Sequence, residues 1–461
     1  MSISSKLAKK QQQTIQKRAQ NTDSYGFFNL LTSPELLSTV ENLLPEHRER
    51  LYPPTETLSM FMAQSLNEDR SCQKAVNDAV INRVCGGLPV ASTATGAYCK
   101  ARQRLPLKMV SSLARHTGQL MGTQLPTQWL WQGRRLRIID GTSMIMPDTV
   151  ANQEKYPQQQ SQGAGLGFPI CRVVGIFCFS SGAVIDAAIG EFQGKGSGEQ
   201  SLLRQMHSTF EAGDIILGDA LYGSYFLLAY LISNGIEGLF EQMGARKRTT
   251  DFRKGKRQGI KDHLVELTKP KVKPEWMTVE DYHNAPDSLM IRELKAGGKV
   301  LITTLLSPKA ATKSALKSLY KRRWEIEVNF RFIKTTMGME KLSCKTPEMV
   351  EKEIWVYFLA YNLIRLLMAQ SALLSDRLPQ QISFKHTIQV WLAWNHQGAM
   401  EANADIQVLF VLIAQRRVGN RPGRIEPRAL KYRGKMYPKL MQQRAIAREE
   451  VRKNGHTKRL K

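Results

Sequence analysis

The sequence predicts an α/β protein: a mixed β-sheet with crossover helices, interrupted by a β-rich stretch and flanked by helical regions at both ends. Three observations carry this. Apolar residues recur at helical spacing up to about residue 125. From Arg134 the pattern shortens to that of strands. After Leu239 the strand–helix alternation gives way to further strand-like runs, and helical spacing resumes only at Lys313. A chain of 461 residues exceeds one ordinary hydrophobic core. These changes of pattern divide it into a helical region over 1–125, a first core segment over 126–239, a β-rich insertion over 240–308, a second core segment over 309–375, and a helical region with a basic tail over 376–461.

Each element has a local reason. Ser33-Pro34-Glu35 is a helix start, followed by Leu36, Val40, Leu43 and Leu44 at helical spacing. Thr55 to Leu66 and Cys72 to Val84 predict two more helices, and Gly86-Gly87-Leu88-Pro89 breaks the chain. Lys100, Arg102 and Arg104 then fall near a further helix, which makes them candidates for contact with nucleic acid. Leu136-Arg-Ile-Ile-Asp140-Gly141 predicts a short apolar strand stopping on a carboxylate and a glycine. Ser180-Ser181-Gly182 is the turn of a hairpin between Arg172–Phe179 and Ala183–Ile189. Ser197 to Phe210 predicts a helix, Asp214 to Asp219 a buried strand ending on a second carboxylate, and Tyr222 to Asn234 a helix closed by Gly235. Strand, hairpin, helix, strand, helix is the order of a mixed sheet with crossovers. In the insertion, Leu289–Leu294 and Lys299–Leu306 predict strands joined through Ala296-Gly-Gly. Pro347 opens a long helix, Lys385 to Gln415 is largely helical, and the Gly-, Pro- and charge-rich tail after Val418 predicts irregular chain.

Charge narrows the class of partner. Lys and Arg outnumber Asp and Glu by 66 to 40, a formal charge of +26. Residues 416–461 hold 16 basic and 3 acidic residues, so half of that excess sits in the tail. A second basic cluster runs from Arg246 to Lys273. Clustered positive charge points to a nucleic-acid partner. The six cysteines form no C-x-x-C pair, which argues against a zinc site or a disulfide framework. The basic N-terminus lacks an apolar core of signal-peptide length, and the most apolar helix, near Ile354 to Met368, is interrupted by Asn362 and Arg365. The expectation is a cytoplasmic protein with access to DNA and no membrane partner.

The stretch from Tyr320 to Lys334 organises the rest. It has neither Gly nor Pro. At about 100° per residue, Tyr320, Arg323, Glu327 and Lys334 fall within about 60° of one another. Leu319, Ile326, Phe330 and Ile333 form an apolar stripe beside them, while Glu325 points away. A helix that packs by one stripe and presents Tyr, Arg, Glu and Lys beside it suits a polyanion together with a cation. Arg323 and Glu327 at i, i+4 are equally compatible with an ordinary surface ion pair. Asp140, Asp219 and Glu327, two carboxylates from strand ends and one from a helix, are hard oxygen donors of the kind that hold Mg²⁺, with Mn²⁺ as a substitute.

Asp140, Asp219 and the spacing Tyr320-x2-Arg323-x3-Glu327-x6-Lys334 resemble the DDE triad and Y-R-E-K signature of the insertion-sequence-four family of bacterial transposases. The resemblance extends over most of the chain and includes Pro427-Arg428-Ala-Leu-Lys431 in the basic tail. It implies an RNase H-like catalytic core and dependence on Mg²⁺. It also implies action as a homodimer on paired element ends of double-stranded DNA, and cut-and-paste movement through a hairpin intermediate. By motif position Asp140, Asp219 and Glu327 are the catalytic metal ligands, and Tyr320, Arg323 and Lys334 hold DNA near the cleaved end. Trp276 of the insertion is a candidate for stacking on a displaced base. Two alternatives stay open at this point: another RNase H-like nuclease, of junction-resolving or repair type, and a non-catalytic DNA-binding regulator of transposition.

Overall fold

The computed structural model describes residues 13, 42–45, 51–163, 165–243, 250–398, 406–418 and 442–455. The helix expected from Ser33, the start of the basic cluster at 246–249 and most of the tail, including Pro427 to Lys431, lie outside the described residues.

Helices α1 (Pro54–Leu66), α2 (Cys72–Cys85), α3 (Gly96–Arg104) and α4 (Leu107–Thr123) come first. Ser71 caps α2 by accepting a hydrogen bond from the Lys74 amide. α1 to α3 share a small core of Tyr52, Met60, Ala75, Val76, Val80, Tyr98 and Ala101. α4 instead lies on the sheet. A Cβ at Gly118 would stand 1.8 Å from the Val184 carbonyl oxygen, so only glycine lets this helix approach the strand so closely.

Among the described residues the sheet has nine strands: β1 (Leu136–Ile145), β2 (Ile170–Cys178), β3 (Val184–Glu191), β4 (Ile215–Gly218), β5 (Glu237–Glu241), β6 (Lys256–Gly259), β7 (Asp262–Thr268), β8 (Ser288–Ala296) and β9 (Lys299–Thr303). Their spatial order is β3-β2-β1-β4-β5-β9-β8-β7-β6. β1 pairs antiparallel with β2 and parallel with β4, β4 runs parallel to β5, and β6 to β9 continue the same sheet as antiparallel neighbours beyond β5. The stretch expected as a β-rich insertion therefore extends the core sheet edge to edge.

Alternation along β2 shows why the strands read as continuous apolar runs. Val173 and Phe177 face one core, with α4 and the later helices, while Val174, Ile176 and Cys178 face the other. The short α5 (Val150–Lys155) lies between β1 and β2 in the chain, and the second core is covered by α6 (Glu199–Arg204) and α7 (Tyr225–Ser233). A sheet covered on both faces needs apolar residues at every position.

Several expectations change. β1 does not stop at Asp140: it runs on to Ile145, with Gly141 paired opposite Val174. Gly141 is glycine because another side chain presses on it, not because the chain turns there. The helix expected over Ser197–Phe210 is only α6 followed by a short 3-10 turn at His207–Thr209. The Tyr320 region is not one regular helix either. Following the short α8 (Val279–Asn284) and β8–β9, it comprises α9 (Lys313–Lys321), a 3-10 turn at Arg322–Trp324, α10 (Glu325–Arg331) and a π turn at Phe332–Thr336. The tail, expected to be irregular, forms a helix over Arg444–Asn454 among its described residues.

α11 (Pro347–Ser375) runs through the larger core, against α4, α12 (Phe384–Gly398) and α13 (Ile406–Gln415). By length and composition it could cross a membrane, yet it is buried within the fold along most of its length. Its polar interruptions fix it there. Asn362 accepts from the Val184 amide at 2.8 Å and donates to the Val184 and Ala114 carbonyls, while Arg365 donates to the Tyr361 hydroxyl at 2.7 Å and to Asn329 on α10. Buried polar groups this fully paired bind α11 to β3, α4 and α10 at once.

Candidate catalytic site

The register of β1 and β4 brings two acidic residues together. The last registered pair is Ile138 with Leu217, so Asp140 and Asp219 follow two positions later on adjacent parallel strands. Asp140 shares a strand face with Ile138 and Met144, both in the core on the α10 side, so its carboxylate meets α10. Its Oδ1 accepts from the Gly141 amide at 2.9 Å. Asp219, just past the end of β4, closes a turn by accepting from the Leu221 amide at 2.8 Å.

Arg323 spans the gap between strand and helix. Its guanidinium lies 3.1 Å from Glu327 Oε1 and 3.7 Å from Asp140 Oδ2. Lys334 reaches back across the cleft, its Nζ donating to Thr142 Oγ1 at 3.2 Å, two residues beyond Asp140 on the same face. Asp140, Gly141, Thr142, Glu327, Phe330, Arg331, Lys334, Thr335 and Glu340 line a cleft of about 320 Å³. Three of the four residues of the organising stretch, Arg323, Glu327 and Lys334, thus converge on Asp140. The fourth, Tyr320, expected to hold DNA, is instead a core residue: it is only 7% exposed, its hydroxyl is buried, and Lys299 Nζ lies 5.6 Å from its ring centre. Glu325 points away: it is held by Arg322 Nε at 2.8 Å, and the Arg322 guanidinium stacks 4.0 Å over Phe179.

The electrostatics follow from burial and crowding. Burial pushes the Asp140 carboxyl up to about 6; the charges of Asp219 and Glu199 push the same way, against the Gly141 amide and Arg323. Burial disfavours the Arg323 charge, but Tyr320, Asp140 and Glu327 more than offset this and raise its pKa. Burial raises the Tyr320 hydroxyl above its ordinary range.

This donor set fits a divalent metal ion. It is all carboxylate oxygen, the preference of Mg²⁺ and Mn²⁺, and the crowded negative charge at Asp140 is what such an ion would relieve. Among the described residues no three His, Cys, Asp or Glu side chains stand close enough to share an ion as placed; at this site the Arg323 guanidinium lies between Asp140 and Glu327.

The other sequence candidates scatter. Lys100 and Arg104 are exposed on α3. Arg102, expected to face nucleic acid, is instead a core residue, 5% exposed. Its guanidinium lies 3.9 Å over the Phe61 ring and donates to Cys72 Sγ and Cys344 Sγ, each at 3.0 Å. Consumed by those partners, it cannot reach a phosphate. Trp276 is 48% exposed, with the Arg204 guanidinium 3.9 Å over its ring. It lines a separate pocket of about 290 Å³ with Arg204, His207, Phe226 and Tyr230.

Sequence reasoning missed Glu199. Its Oε2 accepts from the Tyr222 hydroxyl at 3.0 Å, and its carboxyl carbon stands 2.3 Å from where a Cβ on Gly141 would lie. No spacing marks Glu199 in the sequence; only the fold brings α6 to β1.

A strongly basic α/β chain that gathers carboxylates from two parallel strands and a helix beside Arg and Lys belongs to the class of enzymes acting on nucleic acid. Residues 131–363, half of the chain, match the family described as transposase DDE domain. The chain belongs to this family: it is a DDE transposase of the insertion-sequence-four type, a polynucleotidyl transferase and endonuclease acting on DNA, in a class that depends on divalent metal ions. It is similar to "Transposase InsG for insertion sequence element IS4" of Escherichia coli (strain K12), with 28% identity over 421 residues, 88% of this chain and 91% of that one. Among solved structures, it aligns with the piggyBac transposase synaptic complex with hairpin DNA at a TM-score of 0.44 and 10% identity, over 87% of this chain and 86% of that one.

Proposed function

We propose that this transposase moves an insertion sequence by cut-and-paste, cleaving the element's terminal inverted repeats, passing through a hairpin intermediate and transferring the strand into target DNA. The observation that carries the reading is the convergence of Asp140, Glu327 and Lys334 on one cleft, with Arg323 bridging the two carboxylates and Asp219 just past the end of the adjacent strand. In this reading β3-β2-β1-β4-β5 is an RNase H-like core, and β6 to β9 are an insertion fused to its edge.

Asp140, Asp219 and Glu327 would hold Mg²⁺, or Mn²⁺ in its place. Ions there supply activation of a water or 3′-hydroxyl and stabilisation of the leaving oxygen in an in-line phosphoryl displacement. The chain's own groups position the DNA. A guanidinium grips two phosphate oxygens in a fork, whereas a lysine acts as a point charge. Arg323 turns from the carboxylates to the scissile-strand phosphate, and Lys334, braced by Thr142, holds a neighbouring one. Tyr320 supports Arg323 from the core side, consistent with its burial. Trp276, half-exposed at the wall of an aromatic pocket, would stack on a displaced base by its free face. Lys100, Arg104 and the basic tail contact backbone phosphates. Two copies act together, each on one element end.

The test is a time course on a labelled inverted-repeat end with Mg²⁺, resolving nicked, hairpin and fully cut products. The unaltered protein is expected to produce all three in that order, while Arg323→Ala and Lys334→Ala nick but stall at hairpin formation or opening. Absence of any hairpin with the unaltered protein, or uniform slowing of every step in both variants, would overturn the assignment.

A further inference from the structure

The two segments that carry Asp140 and Asp219 are tied together from the face of the sheet opposite α10. Gly141 follows Asp140 and points to that opposite face, where α6 begins. There the Glu199 carboxylate packs directly against the Gly141 α-carbon: a Cβ would meet its carboxyl carbon and both oxygens at 2.3 to 2.7 Å. The same carboxylate accepts from the hydroxyl of Tyr222, at 3.0 Å, three residues after Asp219. Tyr222 is fully buried, and its ring abuts Gly218 at the end of β4. The next residue of α6, Gln200, donates to the Leu221 carbonyl on the same turn. Two consecutive side chains thus hold the turn after β4 against the strand that bears Asp140. A buried tyrosine hydroxyl needs an acceptor, and here the acceptor is a carboxylate whose charge is felt at Asp140 through the strand.

We propose that Glu199 is a positioning residue of the catalytic centre, clamping the Asp140 and Asp219 segments in register and adding a fourth negative charge that strengthens divalent-cation binding. This rests on the metal role given above to Asp140 and Asp219. A neutral acceptor would serve Tyr222 equally well and would not add to the repulsion around Asp140. Retaining a carboxylate there is intelligible when a cation balances it. The clamp also gives Gly141 its reason: any side chain would displace Glu199. Because the displaced group is the end of a flexible side chain, a methyl there moves Glu199 without unfolding the strand.

The test uses the full-length protein and Mn²⁺ alone as the probe, with free Mn²⁺ followed by electron paramagnetic resonance. Glu199→Gln, which keeps size and hydrogen bonding but loses the charge, is expected to weaken Mn²⁺ binding at least fivefold with little change in melting temperature. Gly141→Ala should reproduce that loss, and Tyr222→Phe, which frees the carboxylate, should give about half of it on a logarithmic scale. In cleavage assays Glu199→Gln should raise the half-saturating Mg²⁺ concentration and regain most of its rate at high Mg²⁺, which a general packing defect would not. Asp140→Asn serves as the reference. If it loses Mn²⁺ and Glu199→Gln does not, the clamp is overturned alone. If neither loses Mn²⁺, the metal assignment falls, and the clamp with it.

Discussion

Arg102 and Arg323 show how one residue type serves opposite ends. Arg102 is buried over Phe61 between two thiols. Arg102→Ala is expected to destabilise the fold by about 2–3 kcal/mol, since it removes the stacking on Phe61 and the hydrogen bonds to sulfur, with no change in the salt dependence of DNA binding. Urea melts and binding isotherms at several salt concentrations check both halves; a reduced salt slope at unchanged stability would return Arg102 to the DNA surface. His207 gives a pH signature at the same scale. Burial, and then Arg204, depress its pKa to about 4, from an ordinary value near 6.5. A depressed folded value means stability that is complete above the unfolded pKa and is lost as pH falls toward 4. Between pH 7 and 4.5 the parent should therefore lose more melting temperature than His207→Phe, and parallel curves would refute this. In the sequence, Arg102 and Arg104 looked alike because both are basic on one short helix. The thiols that claim Arg102 come from 30 and 242 residues away, and no local pattern encodes such partners.

At the scale of elements, the stretch from Tyr320 to Lys334 was legible because its apolar stripe and charged wedge repeat with the turn of a helix. Its interruption was not. A 3-10 turn at Arg322–Trp324 and a π turn at Phe332–Thr336 carry no Gly or Pro to announce them; α10 between them packs on β1, and the π turn packs on α12. The deviation explains why Tyr320 sinks into the core while Arg323, Glu327 and Lys334 stay on the cleft. The strand carrying Asp140 was also legible, but its end was not, since Gly141 resembles a breaker unless one knows that Glu199 lies on it. Contact between α4 and the sheet is a sequence-sensitive joint. Gly118→Ala drives a methyl to 1.8 Å from a backbone oxygen, so it is expected to cost about 1–3 kcal/mol or more and to depress cleavage only through folding. Normal stability in this variant, read by denaturant melts, would show that α4 sits farther from β3.

For the whole molecule, charge is distributed by task. The cleft is acidic at its base and ringed by Arg and Lys, while residues 416–461 hold half of the net positive charge. Removing the chain after Val418 is expected to weaken DNA binding broadly and to flatten its salt dependence, by roughly 0.9 in log–log slope for each phosphate the tail would otherwise neutralise. An unchanged slope would assign the tail to another task. The order of strands and helices could be read from periodicity because each element carries its own pattern. The joining of β6 to β9 onto β5 could not, because pairing between distant strands leaves no mark within either one.

The central claim is that Asp140, Asp219 and Glu327 act as one metal-dependent set. Its most direct test is single-turnover cleavage of a labelled element end with Mg²⁺, run alongside end-DNA binding, for Asp140→Ala, Asp219→Ala, Glu327→Ala and Glu325→Ala. The account predicts that the first three abolish cleavage, a loss of at least a thousandfold, while end binding changes little, and that Glu325→Ala keeps cleavage within about tenfold of the parent. Equal loss in Glu325→Ala and Glu327→Ala, or persistent cleavage after removal of any of the three, would contradict it.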